Sequence, residues 1–327
     1  MPQSPVDLLR QIAGPGNLWS HSNLKRWADC PYSWYGRYIL KIPDIPSAPL
    51  VQGILCHDTL ASALKQGAAP SSWTAALTAA RHHTEAQALV PTSHDATMVG
   101  WIQDAWSQKP DAESVYAEAA WLTPIGLKPD SPRPTIALTQ AEDVLTSTQK
   151  WKWFRAQDVV RDADVDAIYA QPDWVGVSGR HVTVLDWKTS QVKTGYTPAT
   201  TAARYAEQLM LYAVVARRRF DPEHVSTAIH LLPARTTVRL PMAPQMISQG
   251  VKTMAQRIWS IKAAAARGAA GFPKTPGEAC QYCPIAQWPD GCPEGAALRK
   301  SRGWDRFDVT NREERRAVGV HWAGDTT

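Results

Sequence analysis

The sequence predicts an α/β domain with a central mixed sheet flanked by helices, and three observations lead there. Residues 181–187, His181 to Trp187, follow the turn signal Gly179-Arg180 and are rich in β-branched and apolar side chains, the pattern of a buried strand. The stretch Ala163-Asp164-Val165-Asp166-Ala167-Ile168-Tyr169 alternates as a second strand, with Asp164, Asp166 and Ile168 on one face. Downstream, residues 201–220 read as one long helix, and Ile247, Val251, Met254, Ile258, Ile261 and Ala265 recur at helical spacing as another.

The strand ending at Trp187 carries the chemistry. Asp186 and Lys188 are two apart, so they share a face with Val182 and Val184. A carboxylate and an ammonium on an otherwise apolar face are costly to bury without a partner or a task. A salt bridge at the strand end would account for the pair alone. A hairpin over residues 170–180, with Gln171-Pro172-Asp173 and Ser178-Gly179 as breakers, would bring the acidic strand alongside. Asp on one strand and Asp-x-Lys on its neighbour then form an oxygen cage suited to Mg²⁺ or Mn²⁺, with a lysine aimed at the same spot. Lys188 would orient or deprotonate a water and neutralise charge developing on phosphorus.

Asp166, the set Asp186-Trp187-Lys188, and Gln208 with Tyr212 resemble the PD-(D/E)XK nuclease superfamily of the RecB type. Gly53-Ile54-Leu55-Cys56-His57 resembles that branch's upstream G-x-x-x-H element, and Ser20, Ser22, Leu24, Cys30 and Pro31 its opening S-x-S-x-L…C-P stretch. The resemblance implies a restriction-endonuclease-like core. It implies a metal site at His57, Asp166 and Asp186, and it favours Asp166 over Asp164. Lys188 would position the attacking water, while Gln208 and Tyr212, four apart on one helix face, would hold substrate or Lys188.

Taken in order, the chain is expected to be a single domain over residues 1–327. N-terminal helices with the first cysteine fill 18–60, with Ser22 as an N-cap, and a helical insert fills 61–110. The catalytic core spans 111–240, a helix and cysteine cluster 245–300, and a charged tail 301–327. Residues 115–122 read as the first strand of the sheet, on which Glu118 is either an extra acid near the metal or a plain edge glutamate. Pro124 to Pro134 reads as a loop. Lys150-Trp151-Lys152-Trp153-Phe154-Arg155 fits either a stacking strip for nucleic acid or an amphipathic segment with Trp inside and Lys outside. The aromatics after Cys30 are expected in the core, and His82 and His83 in solvent.

The five cysteines fall into a pattern: Cys280-Gln281-Tyr282-Cys283, then Cys292, with Cys30 as the natural fourth ligand and Cys56 left over. Spacing alone allows zinc or an iron–sulfur cluster. The resemblance extends to the iron–sulfur exonucleases, the AddB nuclease domain and the small CRISPR-adaptation exonuclease among them, and implies a structural [4Fe–4S] cluster.

A net charge of +5 and a pI near 8.9 permit a polyanion partner without demanding one. No apolar run approaches the ~20 residues of a membrane span. Met1-Pro2-Gln3-Ser4-Pro5 lacks the basic start and apolar core of a signal peptide, so a cytoplasmic location is expected. Gly268 to Thr275 has the composition of a phosphate loop, but Pro273 stands where that loop needs glycine, so no nucleotide motor is expected. The resulting expectation is a metal-dependent exonuclease acting on DNA that is single-stranded or has free ends. Its setting would be recombination or repair, phage DNA metabolism or CRISPR-type spacer processing, beside a helicase, recombination or CRISPR-adaptation partner. A nuclease subunit or inactive DNA-binding module within a larger recombination or packaging complex is the competing expectation.

Overall fold

A computed structural model describes residues 3–84, 86–127, 136–138, 140, 142–144, 149–287 and 291–304. The N-terminal part holds α1 (Pro5–Ala13), β1 (Leu18–Trp19), α2 (His21–Asp29), α3 (Pro31–Tyr38) and α4 (Ala48–Gln66). The cap of α2 is Ser20, whose hydroxyl accepts from Asn23 N, and not Ser22. Cys30 ends α2 and opens α3, where Pro31 occupies the first helical position and needs no donor. The insert is helical as expected, with α5 (Trp73–His83) and α6 (Asp95–Gln108), and His82 and His83 are exposed.

The central elements are β2 (Ser114–Ala117), β3 (Trp121–Leu127), β4 (Ile136–Leu138), β5 (Glu142–Asp143), α7 (Gln149–Asp162), β6 (Asp166–Ala170), β7 (Trp174–Ser178) and β8 (His181–Lys188). After them come α8 (Pro198–Ala203), α9 (Ala206–Phe220), β9 (His224–Leu231), β10 (Thr236–Arg239), α10 (Pro244–Ala266) and α11 (Pro293–Ser301). Two sheets result instead of one. The first runs β1-β6-β3-β4 with β5 also on β3, and the second runs β10-β9-β8-β7-β2. In the second, β8 and β9 are parallel and the other neighbours antiparallel, which makes it the expected mixed sheet.

The expected 115–122 strand is divided between the sheets. It leaves the second sheet after Ala117, turns at Glu118 with φ +45°, and resumes as β3 in the first. Strand β3 then continues through Pro124 to Leu127, where a loop was expected; the rest of that loop, 128–134, lies outside the described residues. The chain crosses back between β6 and β7, and the two crossings touch, with Glu118 N donating to Asp173 O at 3.0 Å.

The expected 163–169 strand is shorter than its alternation suggests. Asp164 sits in a left-handed turn, φ +53°, between α7 and β6, so it shares no strand face with Asp166. The true neighbour of β8 is β7, joined to it by the two-residue loop Gly179-Arg180 with Ser178 opposite His181.

Side chains alternating along β8 meet different cores. Val182 and Val184 join a large cluster that includes Leu209, Tyr212 and Val215 of α9. Leu185 and Trp187 join a second cluster with Leu55 and Leu60 of α4 and Met98 and Ile102 of α6. The second sheet is therefore the middle layer between helices, and from Val184 to Trp187 both faces of β8 are buried.

The expected 201–220 helix breaks at Arg204-Tyr205 into α8 and α9. The segment 150–155 lies in α7. Trp153 packs edge-on against Tyr169 at 5.2 Å, and Lys152 Nζ donates to Glu118 O at 2.7 Å, so the amphipathic alternative is the one realised. The aromatics after Cys30 are core: Trp34 stacks on Phe272 with centroids 5.8 Å apart. Among the described residues, no helix is long and apolar enough to cross a membrane. The tail from residue 305 onward lies outside the described residues.

Candidate active site

Asp186 and Lys188 share a face at the end of β8, as their spacing requires, with Lys188 Nζ 2.5 Å from Asp186 Oδ2. Asp186 is 1% exposed. The Lys188 ammonium is therefore the ion-pair partner of a buried carboxylate oxygen. Burial pushes the Asp186 carboxyl up, to about 6, against the pull of Lys188. Burial works against the Lys188 ammonium, but Asp186 and Asp173 outweigh it and hold its pKa above the ordinary lysine range.

The second carboxylate is Asp173. It is the last residue of the crossing into β7, and Trp187 N donates to its Oδ2 at 2.8 Å. Its Oδ1 lies 3.0 Å from His57 Nδ1, reached from the middle of α4. Burial opposes the Asp173 charge, but the His57 imidazole beside it wins and keeps the carboxyl below its usual range. The same contact raises His57 against its own burial. Gly53, one helical turn before His57, lets α4 close on the end of the strand: a Cβ there would lie 3.1 Å from Thr189 Oγ1.

Gln208 and Tyr212 face this cluster from α9. Gln208 Nε2 donates to Tyr212 OH at 2.7 Å and reaches Asp186 Oδ1 at 3.4 Å. Burial, then Asp186 and Asp173, push the Tyr212 phenol well above its usual range, so it stays protonated. The structure therefore brings together His57, Asp186, Lys188, Gln208 and Tyr212.

It does not bring Asp166 to them. Asp166 lies in β6, in the other sheet, and is 4% exposed. Its Oδ1 accepts from Asn17 N and from Trp19 Nε1, both at 3.2 Å, and its Oδ2 pairs with Lys262 Nζ of α10 at 3.1 Å. That carboxylate is spent on holding α1, β1 and α10 together. The sequence did carry a signal for Asp173. Residues 174–178 are themselves β-branched and apolar, and a two-residue loop at Gly179-Arg180 fixes Trp174 opposite Leu185, which sets Asp173 beside Asp186. Glu118 is near, but its carboxylate pairs with Lys65 at 3.1 Å.

The five cysteines lie in different surroundings. Cys56 is fully buried among the apolar side chains behind β8, and burial pushes its thiol up to about 12. Cys280 and Cys292 flank Gly295, where an added Cβ would lie 3.5 and 3.2 Å from their sulfurs. Burial raises the Cys280 thiol, and Cys283 and Cys30 stand close enough for their charges to raise it further. Backbone amides point at the sulfurs: Thr275 N to Cys30 Sγ at 3.5 Å and Gly277 N to Cys280 Sγ at 3.4 Å. All five cysteines are unbridged. Among the described residues, no three His, Cys, Asp or Glu side chains are drawn in to the spacing of a closed metal site.

No curated protein matches the chain. A family model for the PD-(D/E)XK nuclease superfamily matches residues 18–288, from the first residue of β1 into the cysteine segment. That match covers well over half of the chain and takes in every residue of the buried cluster, so the chain belongs to the PD-(D/E)XK nuclease superfamily.

Proposed function

We propose that the chain is a metal-dependent DNA exonuclease that hydrolyses phosphodiester bonds from DNA ends. The observation that carries the reading is the buried set Asp173, Asp186 and Lys188 at the end of β8, two carboxylates acting on one ammonium. Mg²⁺ binds through one or two carboxylates, keeping waters and substrate oxygens for its other positions, and Mn²⁺ accepts an imidazole as well. Asp173 and Asp186 are the ligands in this reading, with His57 beside them; Asp173 takes the place first given to Asp166. Bound there, the cation supplies an acidified water and stabilises charge on phosphorus.

The remaining work belongs to the chain. Lys188, kept protonated by two carboxylates, donates to the attacking water or to the phosphoryl oxygens, so it orients the one and neutralises the other. Water oxygen forms the new bond to phosphorus, the bond to the leaving sugar oxygen breaks, and the water's proton passes to solvent or to that oxygen. Gln208 fixes Asp186 from the α9 side, and Tyr212, a phenol at working pH, supports Gln208.

The second half of the reading is a [4Fe–4S] cluster on Cys30, Cys280, Cys283 and Cys292, with zinc as the other occupant those ligands would take. Its support is the amide donors at two of the sulfurs and the tight glycine between two of them. Metal binding would release the thiol protons that burial now favours on Cys280 and Cys292. Roles in recombination or repair, phage DNA metabolism or CRISPR-type spacer processing fit this chemistry, as does a helicase, recombination or CRISPR-adaptation partner. The test is degradation of linear DNA against covalently closed circular duplex with Mn²⁺. Linear DNA should disappear while the circle survives; equal rates would make the enzyme an endonuclease.

A further inference from the structure

We infer that a groove between α2 and the cysteine-bearing turn Glu278–Tyr282 holds a single strand of DNA leading to the Lys188 cluster, with Lys193 and Arg204 on its phosphates. The inference rests on the nuclease reading above and names the form and path of its substrate.

The groove is a cavity of about 500 Å³. That volume is within the range of small-ligand sites and is on the order of one or two nucleotides of a single strand. Its cations are not equivalent. Lys25 is tied to Asp29 at 2.7 Å and Arg26 to Asp44 at 2.7 Å. Lys193 and Arg204 also line the groove, both are exposed, and among the described residues neither has a carboxylate partner. Two uncompensated cations in one groove suit a phosphate backbone. Glu278 also lines the groove, so phosphate is drawn to Lys193 and Arg204 and away from that acid.

The residues that line the groove neighbour the catalytic cluster in the chain and in space. Lys193 lies on the loop that follows Lys188 directly. Arg204 precedes Tyr205, whose ring centroid is 5.2 Å from Lys188 Nζ and whose hydroxyl bonds to Ser190. His21, at the start of α2, lines the groove and stands close enough to Lys188 for that charge to act on its ionisation. A strand threaded here would pass the cysteine turn on one side and reach the Asp186–Lys188 pair on the other.

The test uses the full chain carrying Asp186→Ala, so that bound DNA is not cut, and a short fluorescent oligothymidylate followed by anisotropy between about 50 and 200 mM salt. Adding Lys193→Ala and Arg204→Ala should flatten the log affinity–log salt slope by about 1.4, because each single-strand phosphate contact contributes about 0.7. At about 0.1 M salt the same coefficient gives a loss of about fivefold per contact and about 25-fold for the pair. Arg180→Ala, at the hairpin turn and paired with Glu223, should leave the affinity as it was. An unchanged slope and affinity in the double variant would overturn the groove, and an equal loss for blunt duplex would overturn the single-strand assignment. Cleavage of the same oligonucleotide by the unsubstituted chain with Mn²⁺ separates the two levels. If it is cut while the double variant binds normally, only the groove falls; if it is neither cut nor bound, the nuclease reading falls as well.

Discussion

Replacing Asp166 and Asp173 separately by Asn should have opposite consequences. Asp166 holds Lys262 at 3.1 Å and accepts from Asn17 N and Trp19 Nε1, with both charged side chains over nine-tenths buried. Asp166→Asn leaves the Lys262 ammonium buried without its counter-charge. Breaking such a pair from one side costs about 3–5 kcal/mol. For a chain of 327 residues that lowers Tm by roughly 4–7 °C. Cleavage per folded molecule should survive, because nothing in the Asp186–Lys188 cluster touches Asp166. Asp173→Asn keeps an acceptor for Trp187 N but removes the charge that His57 and Lys188 face. It should reduce cleavage with Mn²⁺ by at least about 1,000-fold, in keeping with several kcal/mol of metal-assisted stabilisation. Its effect on Tm should be small by comparison. The assay is thermal unfolding beside the rate on linear DNA, measured well below either Tm. A folded, inactive Asp166→Asn protein together with an active Asp173→Asn protein would refute the reasoning and return the metal to β6.

Lys188→Ala should abolish cleavage while DNA binding and folding persist; full activity with metal present would mean that Lys188 does not serve the reaction. Cys30, Cys280, Cys283 and Cys292 should each, as Ala, lose the brown colour and bound iron of anaerobically purified protein, whereas Cys56→Ala should keep both. Stoichiometric zinc without iron would replace the cluster but keep its ligands, and colour lost only with Cys56→Ala would overturn the ligand set. Because the buried Asp186 carboxyl titrates near about 6, protons compete with the metal on the acid side. Below that pH the Mn²⁺ needed for half-maximal cleavage should rise by about tenfold per pH unit for one competing proton. Above it the requirement should level off, and a Mn²⁺ requirement independent of pH would show that Asp186 is not a ligand.

Much of the site was legible because it is local. The Asp186-x-Lys188 spacing fixes a shared face on any strand, and Gln208 with Tyr212 fixes one on any helix. The glycine four residues before His57 marks the close approach of α4. The Gly179-Arg180 turn was legible for the same reason. What the sequence did not show is that the chain changes sheets three times among the described residues, between β1 and β2, after Ala117 and after Ala170. Gln171-Pro172-Asp173 looks like the middle of a hairpin because proline and aspartate favour turns. It is instead a crossing that ends at the start of a strand, and local composition does not distinguish the two. Nor does any local pattern reveal that the partner of Asp166 is a lysine on α10, so an aspartate on an apolar strand was open to either use. Glu118 is similar: its neighbour Lys65 comes from α4, far away in the chain.

The joining of the two ends of the chain sets a schedule for biosynthesis. Lys262 bonds to the carbonyls of Ile12 and Gly14, and the contact with Ile12 spans 250 residues. Tyr32 N meets Pro273 O, and Trp34 stacks on Phe272. On a ribosome adding about 5–20 residues per second, the first helices therefore wait about 12–50 s for these partners. During that interval Trp27, Trp34 and Tyr35 are without the Phe272 ring that later covers them. A nascent chain in that state is a substrate for chaperones. Slowing elongation should act on the yield of folded protein before it acts on its chemistry.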